Sequence, residues 1–271
     1  MESIRDWKWL WLQVLVLALA LIAPCICDFA SVIKMIFSNN NVDFNNVKYY
    51  FLMRLGNGAI GIALMILALL FFRKYNSGHL LNTGILYHKH YYSSYWFCTK
   101  ILGYKKCCLI RVSNAMQFKL LLSDTFSEYD YGNENDYRCI DDEAITIEAP
   151  ADNFTSTVNL VLADTYPIAT EQIPASISNF SIVHISRDNK NNSVRCFSKV
   201  FYESVLNTVR HLPNNVYSIN IFATLNPKHS YWIARNVFKM GGRSNILKLS
   251  VFTQPHNKGN WNFSETGIKI F

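Results

Sequence analysis

Two uncharged apolar runs in the first 72 residues limit what this chain can become more than any other feature. The first, Trp9 to Cys27, has Gln13 as its one strongly polar side chain; the second, Leu55 to Phe72, is interrupted by Asn57. At about 1.5 Å of helical rise per residue, each run is near the length that crosses a hydrocarbon core roughly 30 Å thick. The pattern predicts a two-helix membrane anchor, with the rest of the chain folding beside the bilayer.

Charge sets the expected sidedness. Between Arg73 and Arg111 stand Arg73, Lys74, Lys89, Lys100, Lys105, Lys106 and Arg111, with no Asp or Glu. Basic residues that follow a span are retained in the cytoplasm, so the C-terminal part should be cytoplasmic and the polar loop Ser38 to Asn46 outside. A cleaved signal peptide is the rival reading of the first run. Its n-region is neutral, because Glu2 and Asp6 cancel Arg5 and Lys8, and Pro24 before Cys25 fits a lipoprotein cleavage box poorly.

The net charge of +7 would ordinarily suggest nucleic-acid binding. Much of the excess lies in the juxtamembrane stretch among His88, His90, Tyr87, Tyr91, Tyr92, Tyr95 and Trp96, a composition suited to anionic headgroups at an interface. Seven cysteines without a CxxC pair disfavour a zinc ribbon. In a cytoplasmic domain they would be reduced.

Cys107 to Val112 and Phe118 to Leu122 read as short strands. The acidic segment Asp124 to Glu148 reads as a solvated loop or hairpin without calcium-loop spacing. From Val158 onward the pattern sharpens. Strands are expected at Val158 to Ala163, Phe180 to Ile185, Val216 to Ala223 and Ile246 to Phe252. Between them lie an amphipathic helix (Phe197, Phe201, Val205, Val209, Leu212), capped near Asn191 to Ser193 and stopped by Pro213, and a second helix, Ser230 to Met240, ended by Gly241-Gly242. This order predicts a parallel α/β sheet with right-handed crossovers.

Asn226 before Pro227 marks a capped helix start after the third strand. With Lys228, His229 and Ser230 it makes an anion-binding corner at the carboxyl end of a parallel strand, where open α/β sheets bind ligands. The plainer reading is an ordinary capped turn.

Three stretches then carry a resemblance: Val158-Asn-Leu-Val-Leu-Ala-Asp-Thr-Tyr-Pro-Ile with Ile173-Pro174, the run from Ile219 to Arg235, and Leu247-Lys-Leu-Ser-Val-Phe. Together they resemble the SAVED-domain family, the cyclic-oligonucleotide sensors of bacterial CBASS anti-phage defence, with Phe222, Ala223, Pro227, Ser230 and Ala234 matching its motif. The resemblance implies an α/β fold with two N-terminal transmembrane helices followed by a Rossmann-like (CARF-like/SAVED) cytoplasmic domain. The domains would be 1–73 as hairpin, 74–106 as basic aromatic linker and 107–271 as sensor. It further implies an effector without catalytic residues, cofactor or metal, in the bacterial inner membrane. A cyclic oligoadenylate-type ligand would bind at Asp164, Thr165, Arg187, Thr224, Asn226, Lys228, His229 and Ser230, made by a cGAS-like nucleotidyltransferase. Binding would drive homo-oligomerisation and open or disrupt the bilayer, causing abortive infection. A two-span scaffold without nucleotide ligand and a membrane-anchored ring nuclease are the alternatives.

Gly56-Asn-Gly58-Ala-Ile-Gly61 matches a dinucleotide-binding fingerprint in letters, but it opens a hydrophobic span and no strand precedes it. Gly58 and Gly61, at i and i+3, read instead as a helix-packing face, within the hairpin or between protomers. His184, His211, His229 and His256 lack a nucleophile elbow, and Cys196 reads as a core thiol.

Overall fold

The computed structural model describes residues 2–29, 31–32, 35, 47–84, 87–133, 137–140, 144–150, 153–187, 196–239, 245–254 and 261–271. The loop Ser38 to Asn46, the cap at Asn191 to Ser193, the Gly241-Gly242 stop and His256 lie outside these. The chain forms two compact units: residues 1–86 with 96–106, and residues 87–95 with 107–271.

The first unit is the hairpin. Helix α1 spans Glu2–Ile26 and α2 spans Val47–Asn76. Gly56 breaks α2 at φ 74° and ψ 170°, a conformation that needs a residue without Cβ. Lys8–Ile26 and Gly56–Asn76 are long and apolar enough to cross a membrane. Trp11, Leu15, Leu19, Ile22, Leu67 and Phe71 are exposed, whereas Leu10, Gln13, Ile60, Phe72 and Asn76 are buried.

Gln13 and Asn76 pair reciprocally across this seam: Gln13 Nε2 donates to Asn76 Oδ1 at 2.9 Å, and Asn76 Nδ2 donates to Gln13 Oε1 at 3.0 Å. Asn76 Nδ2 also donates to the Leu102 carbonyl at 2.8 Å. Arg73 Nη1 donates to the carbonyls of Lys100 (2.5 Å) and Ile101 (3.1 Å). Gly103 follows at φ 81°, where a Cβ would fall within 2.9 Å of Arg73 side-chain atoms, so both conformation and space call for glycine.

Of the two small residues read as a packing face, Gly61 packs inside the hairpin, since a Cβ there would overlap the Leu21 carbonyl. Gly58 has open space where its Cβ would be. One helical turn separates them, and the neighbouring helix backbone reaches one of the two.

After β1 (Leu80–Leu81), α3 (Tyr92–Lys100) begins in the second unit and ends in the first. The remaining elements are β2 (Lys106–Cys108), α4 (Asn114–Leu122), β3 (Glu128–Asp130), β4 (Arg138–Ile140), β5 (Ile145–Glu148), β6 (Thr157–Ala163), β7 (Ser181–Arg187), β8 (Cys196–Ser198) and α5 (Lys199–Arg210). They close with β9 (Ser218–Ala223), α6 (Pro227–Ile233) running into a π-helical turn (Ala234–Lys239), β10 (Lys248–Phe252) and β11 (Ile268–Lys269).

The main sheet of the second unit has the order β11-β10-β9-β6-β7-β5. The inner strands β10, β9, β6 and β7 are parallel, and the edges β11 and β5 are antiparallel. Strands β6 and β9 read as near-continuous apolar runs because both faces are covered, whereas β7 and β10 alternate. Against one face, Val158, Leu160, Leu162, Val183, Ile185, Ile219 and Ile221 pack with residues of α4, α5 and α6. Helix α5 contributes Phe201, Val205 and Val209, spaced four apart as the amphipathic pattern requires, each worth about 1.5–3 kcal/mol when buried. Against the other face, Val161, Ala163, Ile168, Ile173, Phe222, Phe252 and Phe263 cluster.

The four expected strands from Val158 onward and both helices are present, but the first helix starts at Lys199 under a Ser198 cap, and Phe197, read as part of it, lies on β8. Phe118 to Leu122, read as a strand, lies in α4 instead. That helix buries Ala115, Met116, Gln117, Phe118, Leu120 and Leu121, so no polar stripe remains to reveal a 3.6-residue period. Within the acidic segment, β5 adds an edge strand to the main sheet.

Candidate functional site

The chain leaves β6 for β7 on one side and returns through α5 to β9 on the other. The reversal of strand order therefore falls between β6 and β9, the topological position at which open α/β sheets hold ligands beyond the strand ends. Register brings the expected residues together there. Ala163 pairs with Ser186 and Leu162 with Ala223, so Asp164, Arg187 and Thr224 emerge side by side. Leu162, Ile185 and Ala223 face the helices, and the two-residue alternation sends Asp164 and Arg187 toward that face.

Asp164 is the hub. Its Oδ1 lies 3.0 Å from Arg187 Nε, with both side chains almost wholly buried. Its Oδ2 accepts from the Asn226 backbone N–H (3.0 Å), Asn226 Nδ2 (2.8 Å) and His229 Nδ1 (2.7 Å). Asn226 Oδ1 accepts the His229 N–H at 2.9 Å, which is the helix cap expected from Asn-Pro. Asn226 Nδ2 also reaches the Cys196 carbonyl at 2.8 Å. The Ser198 backbone N–H donates to His229 Nε2 at 3.0 Å, the Ser198 carbonyl lies 3.2 Å from the same nitrogen, and Nδ1 faces Asp164.

Asp164, His229 and Ser198 share the residue types of a hydrolytic triad but not its geometry. Ser198 Oγ accepts the Phe201 N–H at 3.2 Å and caps α5. The imidazole faces the Ser198 main chain, and all three residues are at most 1 % exposed.

Thr165 and Thr224 form the rim. Thr165 gives its N–H (2.9 Å) and Oγ1 (2.6 Å) to the Thr224 carbonyl, and Thr224 Oγ1 donates to the Tyr166 carbonyl at 2.7 Å. Ser230 is fully buried, and its hydroxyl has no hydrogen-bond partner among the described residues.

Lys228 is not the exposed side chain expected of a helix start, being only 7 % exposed. Its ammonium lies 4.7 Å from the Phe197 ring centroid and 5.4 Å from that of Tyr137, a cation–π cage contributed by β8 and the residue before β4. No carboxylate pairs with it among the described residues. Phe197 also stacks obliquely on His229 at 4.9 Å and on Trp232 at 6.2 Å.

Tyr137, Phe197 and Ser198 were not candidates from sequence. Their partners are at least 30 residues away along the chain, and no short spacing marks the contact. Cys196 is a buried thiol outside any disulfide. Among the described residues no group of three or more His, Cys, Asp or Glu could hold a metal ion. A groove of about 280 Å³ opens elsewhere in this unit, lined by Val161, Ile168, Ile173, Ile182, His184 and Glu148. Val161 and its neighbours face away from α4, α5 and α6, so the groove lies across the sheet from the Asp164 network.

A two-span apolar hairpin followed by an α/β unit with a mostly parallel sheet defines the class: a two-helix segment with a sheet domain behind it. The chain belongs to the SMODS- and ubiquitin system-associated 2TM effector domain family, whose model matches residues 3–266. This bears out the expectation of a two-transmembrane effector with an α/β domain. No curated protein matches the chain. It is similar to a solved structure of the Acinetobacter baumannii Cap4 SAVED/CARF-domain containing receptor with the cyclic trinucleotide 3'3'3'-cAAA, at 6 % identity and a TM-score of 0.41. The structure of that receptor with 2'3'3'-cAAA gives 7 % identity and a TM-score of 0.44. Each alignment covers 66 % of this chain and 41 % of the receptor, so the chain spans about two-fifths of the receptor's length.

Proposed function

We propose that this chain is a ligand-gated membrane effector whose α/β unit binds a cyclic oligonucleotide at the carboxyl edge of β6 and β9. The observation that carries the reading is Lys228: a lysine only 7 % exposed, its ammonium held between two rings, with no carboxylate partner among the described residues. A cation desolvated to that degree gains most from an anion brought by a ligand, and charge-assisted contacts to phosphate are among the strong hydrogen bonds. The uncommitted Ser230 hydroxyl lies two residues on. In this reading Asp164, Arg187, Asn226 and His229 hold the turn in place, and Thr165, Thr224, Lys228 and Ser230 meet the ligand.

The ligand class, a cyclic oligoadenylate, comes from the sequence resemblance over Val158 to Phe252. A nucleotidyltransferase of the cGAS-like class would supply it. Binding without turnover would favour an oligomer whose hairpins open or disrupt the inner membrane, with the α/β unit cytoplasmic. Moving a switch from 1:99 to 99:1 takes about 5.5 kcal/mol of differential affinity, within reach of a ligand with several phosphates and bases.

Calorimetry on the detergent-solubilised full chain, with cyclic di-, tri- and tetranucleotides of adenine and guanine, tests the reading. Wild type should bind one of them and return it intact. Lys228→Met, which keeps the stem and loses the charge, should bind it about 10- to 150-fold more weakly, the effect of about 1.5–3 kcal/mol for a hydrogen bond to a charged group. Absence of binding by wild type to the whole panel would overturn the function. Unchanged binding by a folded Lys228→Met would move the site.

A further inference from the structure

We infer that Trp232 is the platform on which a base of the bound nucleotide stacks, a deepening that rests on the cyclic-oligonucleotide reading above. Trp232 is four residues after Lys228 on α6, so the two side chains share one face of the helix about 6 Å apart along its axis. Both border the same ring: the Lys228 ammonium lies 4.7 Å from the Phe197 centroid, and the Trp232 rings lie 6.2 Å from it. That spacing is of the order of the distance between a phosphate and its own base in a nucleotide. A ligand phosphate on Lys228 therefore brings a base to the indole.

The indole is also fixed in orientation. Tyr202 meets it edge to face at 6.0 Å and 63°, and Tyr231 at 6.4 Å and 84°. Its neighbours on α6, from Lys228 through Ser230 and again at Ile233, are buried, yet Trp232 is 38 % exposed. A half-open aromatic surface beside a cation with no carboxylate partner among the described residues matches the two chemical parts of a nucleotide, a flat π-system and an anion. The groove lined by His184 and Glu148 offers no Lys or Arg among its lining residues and fits such a ligand less well.

The test measures affinity of the full-length solubilised chain for whichever cyclic oligonucleotide wild type binds, as a function of salt. Stacking on an aromatic side chain is worth about 1–3 kcal/mol per base, so Trp232→Ala should bind roughly 5- to 150-fold more weakly and Trp232→Phe should recover most of the loss. The slope of log affinity against log salt should be unchanged in Trp232→Ala and shallower in Lys228→Met, because the slope counts phosphate contacts. Wild-type affinity in a folded Trp232→Ala would overturn the inference while leaving the function standing. So would a ligand-independent change in its oligomeric state, which would make the indole a protein contact. If wild type binds no member of the panel, both fall together.

Discussion

The Asp164 carboxylate accepts from the main chain and side chain of Asn226 and from His229 while facing Arg187. Removing one partner of such a buried pair strands the other charge, at a cost of about 3–5 kcal/mol. Asp164→Asn is therefore expected to lower unfolding stability by that order in urea titrations. Ser230→Ala, which deletes a hydroxyl without a partner among the described residues, should change stability by less than about 0.5 kcal/mol. Equal effects would refute the hub role. His90 gives a separate pH signature. Burial, reinforced by the neighbouring His88, holds its pKa down to about 4 from the ordinary 6.5. Below pH 6.5 the unfolded chain takes up a proton that the native chain does not, so stability falls as pH drops from 6.5 to about 4. The Tm of His90→Gln should decline less than that of wild type across this window; parallel curves would show that His90 is not responsible. At this scale the sequence was legible where a local rule operates. Asn226-Pro227 announced its cap, and the end of an apolar strand announced Asp164. The aromatic cage was not legible, because Tyr137, Phe197 and Lys228 meet only through tertiary packing.

Among the elements, strands β6 and β9 were readable because a strand covered on both faces leaves an unbroken apolar run between turn residues. Helix α4 was misread for the same physical reason, burial nearly all round, in an element too short to show its period. Edge strand β5 was hidden within the acidic segment, where Thr146, Ile147 and Glu148 remain exposed and only one side pairs. The two glycines of the hairpin differ in a way their spacing did not disclose. Gly61→Leu should force α1 from α2 and lower the thermal stability of the solubilised chain, since the obstruction is the Leu21 backbone. Gly58→Leu meets open space and should leave that stability unchanged. If Gly58→Leu nevertheless abolishes ligand-dependent dye uptake by cells, its face is where hairpins of different molecules meet. Replacing Gln13 with Leu should likewise destabilise the hairpin modestly, by about 0.6 to 1.7 kcal/mol as for other interhelical polar contacts, and Gln13→Asn should not restore the shorter reach to Asn76.

For the molecule as a whole, the sidedness inferred from the run Arg73 to Arg111 has a direct check. In a cysteine-depleted background, a membrane-impermeant maleimide applied to intact cells should label Asn41→Cys and spare Asn257→Cys. External labelling of Asn257→Cys would place the α/β unit away from any cytoplasmic ligand and remove the effector reading with it. In the final turn of the last span, Arg73 and Asn76 grip main-chain oxygens of Lys100, Ile101 and Leu102, not their side chains. A joint made through the peptide backbone is indifferent to what the exposed residue at position 100 displays. That surface is therefore free to be suited to bilayers of different headgroup composition, whereas any side chain at position 103 would meet Arg73.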